Sequence, residues 1–440
     1  MKRGLYACTT LALSIALAGC ETFEVAGDPE TTESAKAFAA QHDERLRPFL
    51  VSLYVGGEWN AVLSFEQLGL AAMQLGYFKL AAHSFDEAIN RVEAIYADDP
   101  NAAKARSVFN EERVKDFKGE PYERAMLYYY RGVLYAQEGD YQNARAAFLA
   151  ADRHDTLSSA EDQAFAGDFG MMKYLAGWAS YCDNDPGRGQ QLVKEAKGVD
   201  ERVRVLPDKP VSHIALVDSG PAPIKYGAGK YNELLKFQSG GDVETNVHIV
   251  GSNGAKVDEP FLPIGDLAYQ ASTRGGREVD AILAGKATFK DAAGALSNTA
   301  MAVGSTMTML GVSSGDNNMA NAGLAGMLLS LVAAAAEASA NPAADTRAWQ
   351  SLPGAVLLAA APSEPGPWQI ETAAGIKQPF AVDAKHGACS IKWGRTVSAL
   401  TKEHGGVVSS AATTSHEEGR EERNRLFRTN LQSLQVAGAR

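Results

Sequence analysis

From residue 33 to about residue 200 apolar positions recur at three- and four-residue spacing, alanine is frequent and prolines are few, which predicts a set of helices. Near "DERVRVLPDKPVSH" (200 to 213) the period changes. Short apolar runs now alternate with glycine and proline clusters, and "HIALVDSG", "TNVHIVGS" and "PFLPIGDLAYQA" are predicted strands, while "KYNELLKF" fits a strand or a helix. Residues 278 to 340 return to a helical pattern unusually rich in Ala, Gly, Met and Ser. After it, "AVLLAAAPSEPGPWQIETA" reads as strand, proline-rich turn and strand, and "ACSIKWGRTVSAL" as a further strand. The end, from about His404, is rich in Gly, Ser, Thr and charge and is predicted to be a flexible tail, with a frayed helix over "EERNRLFRTNLQSL".

The helical part contains a repeat. "LGLAAMQLGYFKLAAHSFDEAI" (68 to 89) and "RGVLYAQEGDYQNARAAFLAAD" (131 to 152) superpose without a gap, placing Gly69 on Gly132, Gly76 on Gly139, Phe78 on Tyr141, Ala81 on Ala144, Phe85 on Phe148 and Ala88 on Ala151. A glycine where two helices touch, a glycine in the turn, and small and aromatic residues at the packing positions form the tetratricopeptide (TPR) pattern. A degraded third copy runs through "AGWASYCDNDPGRGQQLVKEA" (176 to 196), with Gly177 on the first glycine, Val193 on the phenylalanine and Asn184 in place of the turn glycine. The wide spacing between copies calls for an extra helix or loop within 93 to 120. Inner helices of such arrays line a concave surface. The register turns Glu66, Met73 and Gln74 of the first copy, and Tyr129 and Gln137 of the second, toward it as a partner groove.

The amino terminus decides where the chain resides. Lys2 and Arg3, an apolar run from Leu11 to Ala18 too short to span a bilayer, and small residues before Cys20 have the three-part layout of a secretory signal. "LAGC" (17 to 20) resembles the lipobox of bacterial lipoproteins, which implies removal of residues 1–19, attachment of lipid such as palmitate at Cys20, and a lipidated tether over 20–32. In the proteins it resembles, an aspartate after the cysteine retains the chain in the inner membrane; here Glu21 follows, and outer-membrane anchoring on the periplasmic face is expected.

Loss of Lys2 and Arg3 leaves 40 of the 42 basic residues against 53 acidic ones, so the formal charge of −11 becomes −13. That excludes nucleic acid as a partner held by bulk electrostatics. Cys8 leaves with the signal and Cys20 takes lipid. Cys182 and Cys389 remain, and in an oxidising periplasm both a disulfide and two separate thiols are open readings.

Candidate chemistry is sparse. "GVSSG" (311 to 315) has the spacing of a hydrolase nucleophile elbow with Ser313 as nucleophile, but a helix rather than a strand is predicted before it. "GAGKY" lacks the first glycine and the Ser or Thr of a phosphate loop. The eight histidines include no pair at helical zinc spacing. No catalytic, cofactor or metal site is predicted, and the chain reads as a non-enzyme. Glu123, Arg124 and Arg131, set among Tyr122, Tyr128, Tyr129 and Tyr130, fit a ligand-binding cluster or structural ion pairing inside the repeat interface, and the structural role is the favoured reading. The uncharged "NNMANAGLAGMLLSLVAAAA" (317 to 336) has the small-residue spacing of a tightly packed core helix; an oligomer contact and a membrane contact are the other readings.

Three stretches together resemble a bacterial family of TPR lipoproteins of poorly defined function: "GEPYERAMLYYYRGVLYAQEGDYQNARAAF" (119 to 148), "LVDSGPAPIK" (216 to 225) and "ADTRAWQSLPGAVLLA" (344 to 359), the last carrying Arg347, Trp349, Leu352 and Pro353. The likeness spans most of residues 40 to 375. It implies an envelope lipoprotein and supplies no catalytic residue. The expected architecture is an α-helical TPR-like solenoid over 33–200, then an α+β domain over 211–403 with an inserted small-residue-rich helical segment, and a tail over 404–440. The expected role is an adaptor or scaffold for one or more envelope proteins. A subunit of an outer-membrane assembly or export complex, a homo-oligomer through 297–340, is the alternative, and a serine hydrolase is the third.

Overall fold

The computed structural model describes residues 29–96, 116–156, 169–251, 254–273, 344–364, 366–400, 417–431 and 434. Cys20, Ser313, the 297–340 segment and most of the 93–120 insertion lie outside them.

Helices α1 (Pro29–Ala39) and α2 (Arg47–Gly56) lead through a single 3-10 turn at Glu58–Asn60 into three helical hairpins: α3 (Ala61–Gln74) with α4 (Phe78–Tyr96), α5 (Pro121–Gln137) with α6 (Tyr141–Thr156), and α7 (Gly170–Cys182) with α8 (Pro186–Val199). Each hairpin has the same closest approach. A Cβ on Gly132 would lie 2.6 Å from the Phe148 ring, one on Gly69 2.5 Å from the Phe85 ring, and one on Gly177 2.8 Å from Val193, so only glycine lets these helices meet. The turns match as well: Gly76 and Gly139 have φ of +80° and +79°, and Asn184 holds the equivalent left-handed position at +60°. Asparagine is the side chain that best tolerates that conformation, which is why the third copy survives the loss of its glycine.

A short helix α9 (Glu201–Arg204) ends the helical half, and a mixed sheet region follows. Strands β1 (His213–Pro221), β6 (Leu262–Asp266), β7 (Pro353–Ala360), β10 (Val382–His386) and β11 (Cys389–Arg395) form one sheet in the order β10-β11-β1-β7-β6; β1 and β11 are parallel and the other pairs antiparallel. A second sheet, β5-β4-β8-β9, comprises β4 (Val247–Val250), β5 (Lys256–Val257), β8 (Gln369–Thr372) and β9 (Lys377–Pro379). Strands β2 (Ile224–Ala228) and β3 (Leu234–Gln238) make a separate hairpin, and α10 (Leu267–Thr273) follows β6. "KYNELLKF" therefore ends in a strand, and the second half of "PFLPIGDLAYQA" is helical.

Because successive side chains of a strand point to opposite faces, the central strands serve two cores. Ile214 and Leu216 of β1 and Val356 and Leu358 of β7 pack with the helices, whereas Ala215, Val217, Leu357 and Ala359 pack with Val247, Ile249 and Ile370 of the second sheet. The result is three layers: helices, five-stranded sheet, four-stranded sheet. Burial on both faces explains why "HIALV" and "AVLLAA" are continuous apolar runs without alternation. The helical and sheet regions share one hydrophobic core. A disulfide between Cys182, the last residue of α7, and Cys389, the first of β11, with Cα atoms 5.9 Å apart, also joins them.

Two expectations are corrected. The predicted partner groove is not open, because the chain's own sheet region fills it: Glu66, Met73 and Tyr129 are fully buried, the Gln74 side chain accepts the Ala399 amide at 2.7 Å, and the Gln137 carbonyl is bonded to His386 at 2.6 Å. The helix expected within the tail is present, as α11 (Glu417–Asn430), but this part of the tail is not loose, since Phe427 is buried against the helical layer. Among the described residues no helix is long and apolar enough to cross a membrane.

Candidate functional site

Where the sheet region meets α3 and α5, charged side chains are buried together. Their scaffold is the N-terminus of α5. Pro121 fits the first helical position, and Glu120 and Glu123 form a reciprocal capping box in which Glu123 Oε2 accepts the Glu120 amide at 2.7 Å. The same oxygen accepts Lys225 Nζ of β2 at 2.6 Å, and Oε1 accepts the Trp349 amide at 2.8 Å. One carboxylate thus ties a helix end, a hairpin and the strap that enters β7.

The strap carries the network in both directions. Arg347 forms a forked pair with Asp345, at 3.0 and 2.7 Å, and donates to Asn60 Oδ1 at 2.8 Å; its carbonyl accepts Lys225 Nζ at 2.8 Å. Trp349 Nε1 donates to Ser351 Oγ at 2.9 Å, and the Ser351 carbonyl accepts Arg395 of β11 at 2.5 Å. Arg395 in turn pairs with Asp218 of β1 at 2.9 Å, and the Tyr130 hydroxyl donates to the same Asp218 oxygen at 2.7 Å. Burial pushes the Asp218 carboxyl up, opposed by the Arg395 charge, and pushes the Tyr130 hydroxyl up as well. The three stretches 119–148, 216–225 and 344–359 therefore meet in one network, through Glu123 and Tyr130, Asp218 and Lys225, and Arg347, Trp349 and Ser351.

Glu66 of α3 is the exception within it. It is fully buried, and neither carboxyl oxygen has a hydrogen-bond partner. Burial first, and the Glu123 charge second, raise it well above the ordinary carboxyl range, while Lys225 and Arg124 act in the opposite sense.

The groove residues of the sequence reading are partly reunited here: Glu66 and Tyr129 lie in this interface, Gln74 and Gln137 meet Ala399 and His386, and Met73 is buried in the shared core. Glu123 and Arg124 are structural, as expected, but their partners are not each other: Glu123 takes Lys225, Arg124 donates to the Gly119 carbonyl at 2.7 Å, and Arg131 pairs with Asp86 at 2.7 Å. Asp218, Lys225 and Arg395 were missed. Only Asp218 carried a signal, a charge inside the buried apolar run of β1, which is rare unless the charge is paired.

Chemically the site is closed. The charged side chains of the network end on one another or on backbone groups, and Glu123, Lys225, Asp218 and Arg395 are buried away from solvent. Among the described residues no group of His, Cys, Asp and Glu is placed to hold a metal ion. A smaller polar cluster lies on the α4–α6 side, where the Tyr128 hydroxyl, His154 Nε2 at 3.0 Å and Arg153 at 3.0 Å converge on Glu93 Oε1. Burial lowers His154, opposed by its contact with Glu93. No protein-family profile, curated protein or solved structure matches this chain.

Proposed function

We propose that this chain is a lipid-anchored envelope protein of the TPR lipoprotein type, acting as an adaptor or scaffold that engages partners through its outer surfaces. The TPR assignment is supported by the repeated glycine–aromatic approach and by the three left-handed turn residues in register. The anchor is supported by the lipobox-like "LAGC" ending at Cys20. The observation that carries the adaptor reading is the use made of the concave face: charged groups from three stretches are spent on one another, fixing the sheet region to the helices. Such a network makes a rigid body, and a network whose charged groups are engaged with one another suits a protein that positions others.

A probe at Tyr129 would reach only the chain's own sheet. The β2–β3 hairpin is a better place, because Ile224, Tyr226 and Leu234 are exposed on its outward side while Lys225 points in. Photo-crosslinking in cells from Tyr226, with Cys20→Ser to release the anchor, tests the reading. A discrete envelope protein captured by the anchored chain and diminished in the Cys20→Ser chain is expected. Equal capture by both, or no capture from any outer position, would overturn it.

A further inference from the structure

Helix α11 is held on the outside of the helical layer by one stripe of side chains. Asn424, Phe427, Arg428 and Leu431 stand at i, i+3, i+4 and i+7 and are the buried or half-buried positions, with Leu434 continuing the stripe; Leu426, on the other side, is 49 % exposed. This is the anchor spacing by which an amphipathic helix lies in a groove.

The seat is built from α2, the 3-10 turn, α3 and α4. Asn424 Oδ1 accepts the Glu58 amide at 3.0 Å, and it occupies the space above Gly57, whose φ of +67° leaves room where a Cβ would collide with it. The Phe427 ring stands edge-on to Phe65 with centroids 6.1 Å apart. The Arg91 guanidinium lies 5.2 Å from the Phe65 centroid and 5.6 Å from that of Phe427, and is fixed there by Glu58 at 2.9 Å and Glu87 at 2.6 Å. Arg428 Nε donates to the Tyr54 carbonyl at 3.3 Å. Arg423 pairs with Asp116 at 2.9 Å.

The position of α11 is not dictated by its connection. The sheet region leaves the helices at Ala399, bound to Gln74 at the far end of α3 from Phe65. Residues 401–416 can span about 55 Å when extended, while α3 is about 20 Å long. What selects the seat is its own chemistry: a backbone amide for Asn, an aromatic and guanidinium clamp for Phe, and a carbonyl for Arg.

We propose that the surface formed by Tyr54, Gly57, Glu58, Phe65 and Arg91 is a helix-recognition groove that accepts a partner's amphipathic helix bearing Asn, Phe, Arg and Leu in the α11 spacing, with α11 as its intramolecular occupant. The proposal rests on the adaptor reading and names the kind of partner. A tethered occupant acts at an effective concentration in the millimolar range. A partner helix must therefore bind more tightly than α11 does, and the groove is read only by sequences that improve on it.

The test uses the full chain with Phe427→Asp, which removes the tethered helix's main anchor, and a fluorescent peptide of residues 417–434. Anisotropy titration is expected to show binding to this chain at least tenfold tighter than to the wild-type chain, lost when the peptide carries Phe427→Asp or the chain also carries Arg91→Glu. A chain with Asn424→Ala and Arg428→Ala, which leaves the core untouched, is expected to give the same ordering. Equal binding to wild-type and vacated chains, or none to vacated chains whose circular dichroism is unchanged, would overturn the groove. A concentration-dependent dimer dissolved by the peptide would assign the seat to a second copy and overturn the partner-helix proposal. The adaptor reading stands apart: peptide binding without crosslinked envelope protein counts against that reading, and crosslinking without peptide binding counts against the groove.

Discussion

Glu66 makes the most specific demand on experiment. Replacing it by methionine keeps the side-chain length and removes a carboxyl whose two oxygens are buried and without partners. Leaving a buried polar group unsatisfied costs about 1–3 kcal/mol, so Glu66→Met is expected to stabilise the chain by about that amount at about pH 3 and below, where the carboxyl is protonated in both states. Above that range the difference grows. The folded chain holds the Glu66 proton to higher pH than the unfolded chain does, because burial and Glu123 oppose its charge. Glu66 therefore contributes a stability that is full below the unfolded pKa of about 4.3 and declines as pH rises toward the folded value. The limiting slope is about 1.4 kcal/mol per pH unit for one proton.

Urea unfolding of wild type, Glu66→Met and Glu66→Gln at pH 5, 6, 7 and 8 measures this directly. Wild type should lose stability relative to Glu66→Met at each step until the folded carboxyl ionises, and then run parallel to it. Glu66→Gln keeps a polar head that cannot ionise, so its gap to Glu66→Met should not depend on pH. A wild type that is more stable than Glu66→Met throughout, or a gap that is flat with pH, would show an ionised and partnered Glu66 and refute the reasoning.

The other expectations concern the same interface and the repeat. Arg395→Met leaves Asp218 buried without its partner and should cost about 3–5 kcal/mol in chemical unfolding, whereas a paired Asp218→Leu, Arg395→Met chain should recover much of the loss. Replacing Cys182 and Cys389 by serine opens a cross-link closing 207 residues and should lower stability by about 2–5 kcal/mol, toward the upper end because the loop is long; equal urea midpoints with and without reductant for the wild type would contradict it. Gly132→Ala pushes a Cβ into the buried Phe148 ring and should cost about 1–3 kcal/mol, while Gly198→Ala, where nothing lies within 4 Å, should stabilise by about 0.5–1 kcal/mol, read as opposite shifts in melting temperature.

The helical hairpins were legible because their signals are local. Gly69 and Phe85, or Gly132 and Phe148, stand sixteen residues apart in both copies, and the pattern itself states that two helices touch there. Strands β1 and β7 were legible as apolar runs and β11 as a strand-like run, and β2, β9 and β10 were not, being short and interrupted by charged or polar residues. What no local pattern stated was the docking of one half on the other. Lys225 bonds Glu123 across 102 positions and Arg395 bonds Asp218 across 177, and a lysine between Ile224 and Tyr226 looks like any solvated charge on an edge hairpin. The inward direction of Lys225 becomes visible only once α5 presents its capping carboxylate to it. The helix of the tail was legible but its seat was not, for a related reason: the stripe offers only Phe427 and, just past the helix, Leu431 and Leu434 as apolar anchors, and its other holds are backbone groups and an arginine clamp on the facing surface.

These two failures point to a common cause with a functional consequence. Both the predicted groove and the outer surface formed by α2, α3 and α4 are occupied by the chain itself, but the two occupants are held differently. The sheet region shares a hydrophobic core with the helices, is cross-linked to them at Cys182–Cys389 and carries fully buried ion pairs. Truncating one partner of such a pair is costly, so this contact behaves as part of the fold. Helix α11 is held by one buried aromatic, two leucines, an asparagine and partly exposed arginines, a set in the range that partners compete for rather than one that folding requires. If the layer exchanges ligands anywhere, it is on the α11 side, and the order of loss under denaturant follows from this: hydrogen exchange should release the amides of 424–431 well before those of α5 and β1. Simultaneous release of all three would mean that α11 belongs to the core unit and would remove the physical basis for an exchangeable groove.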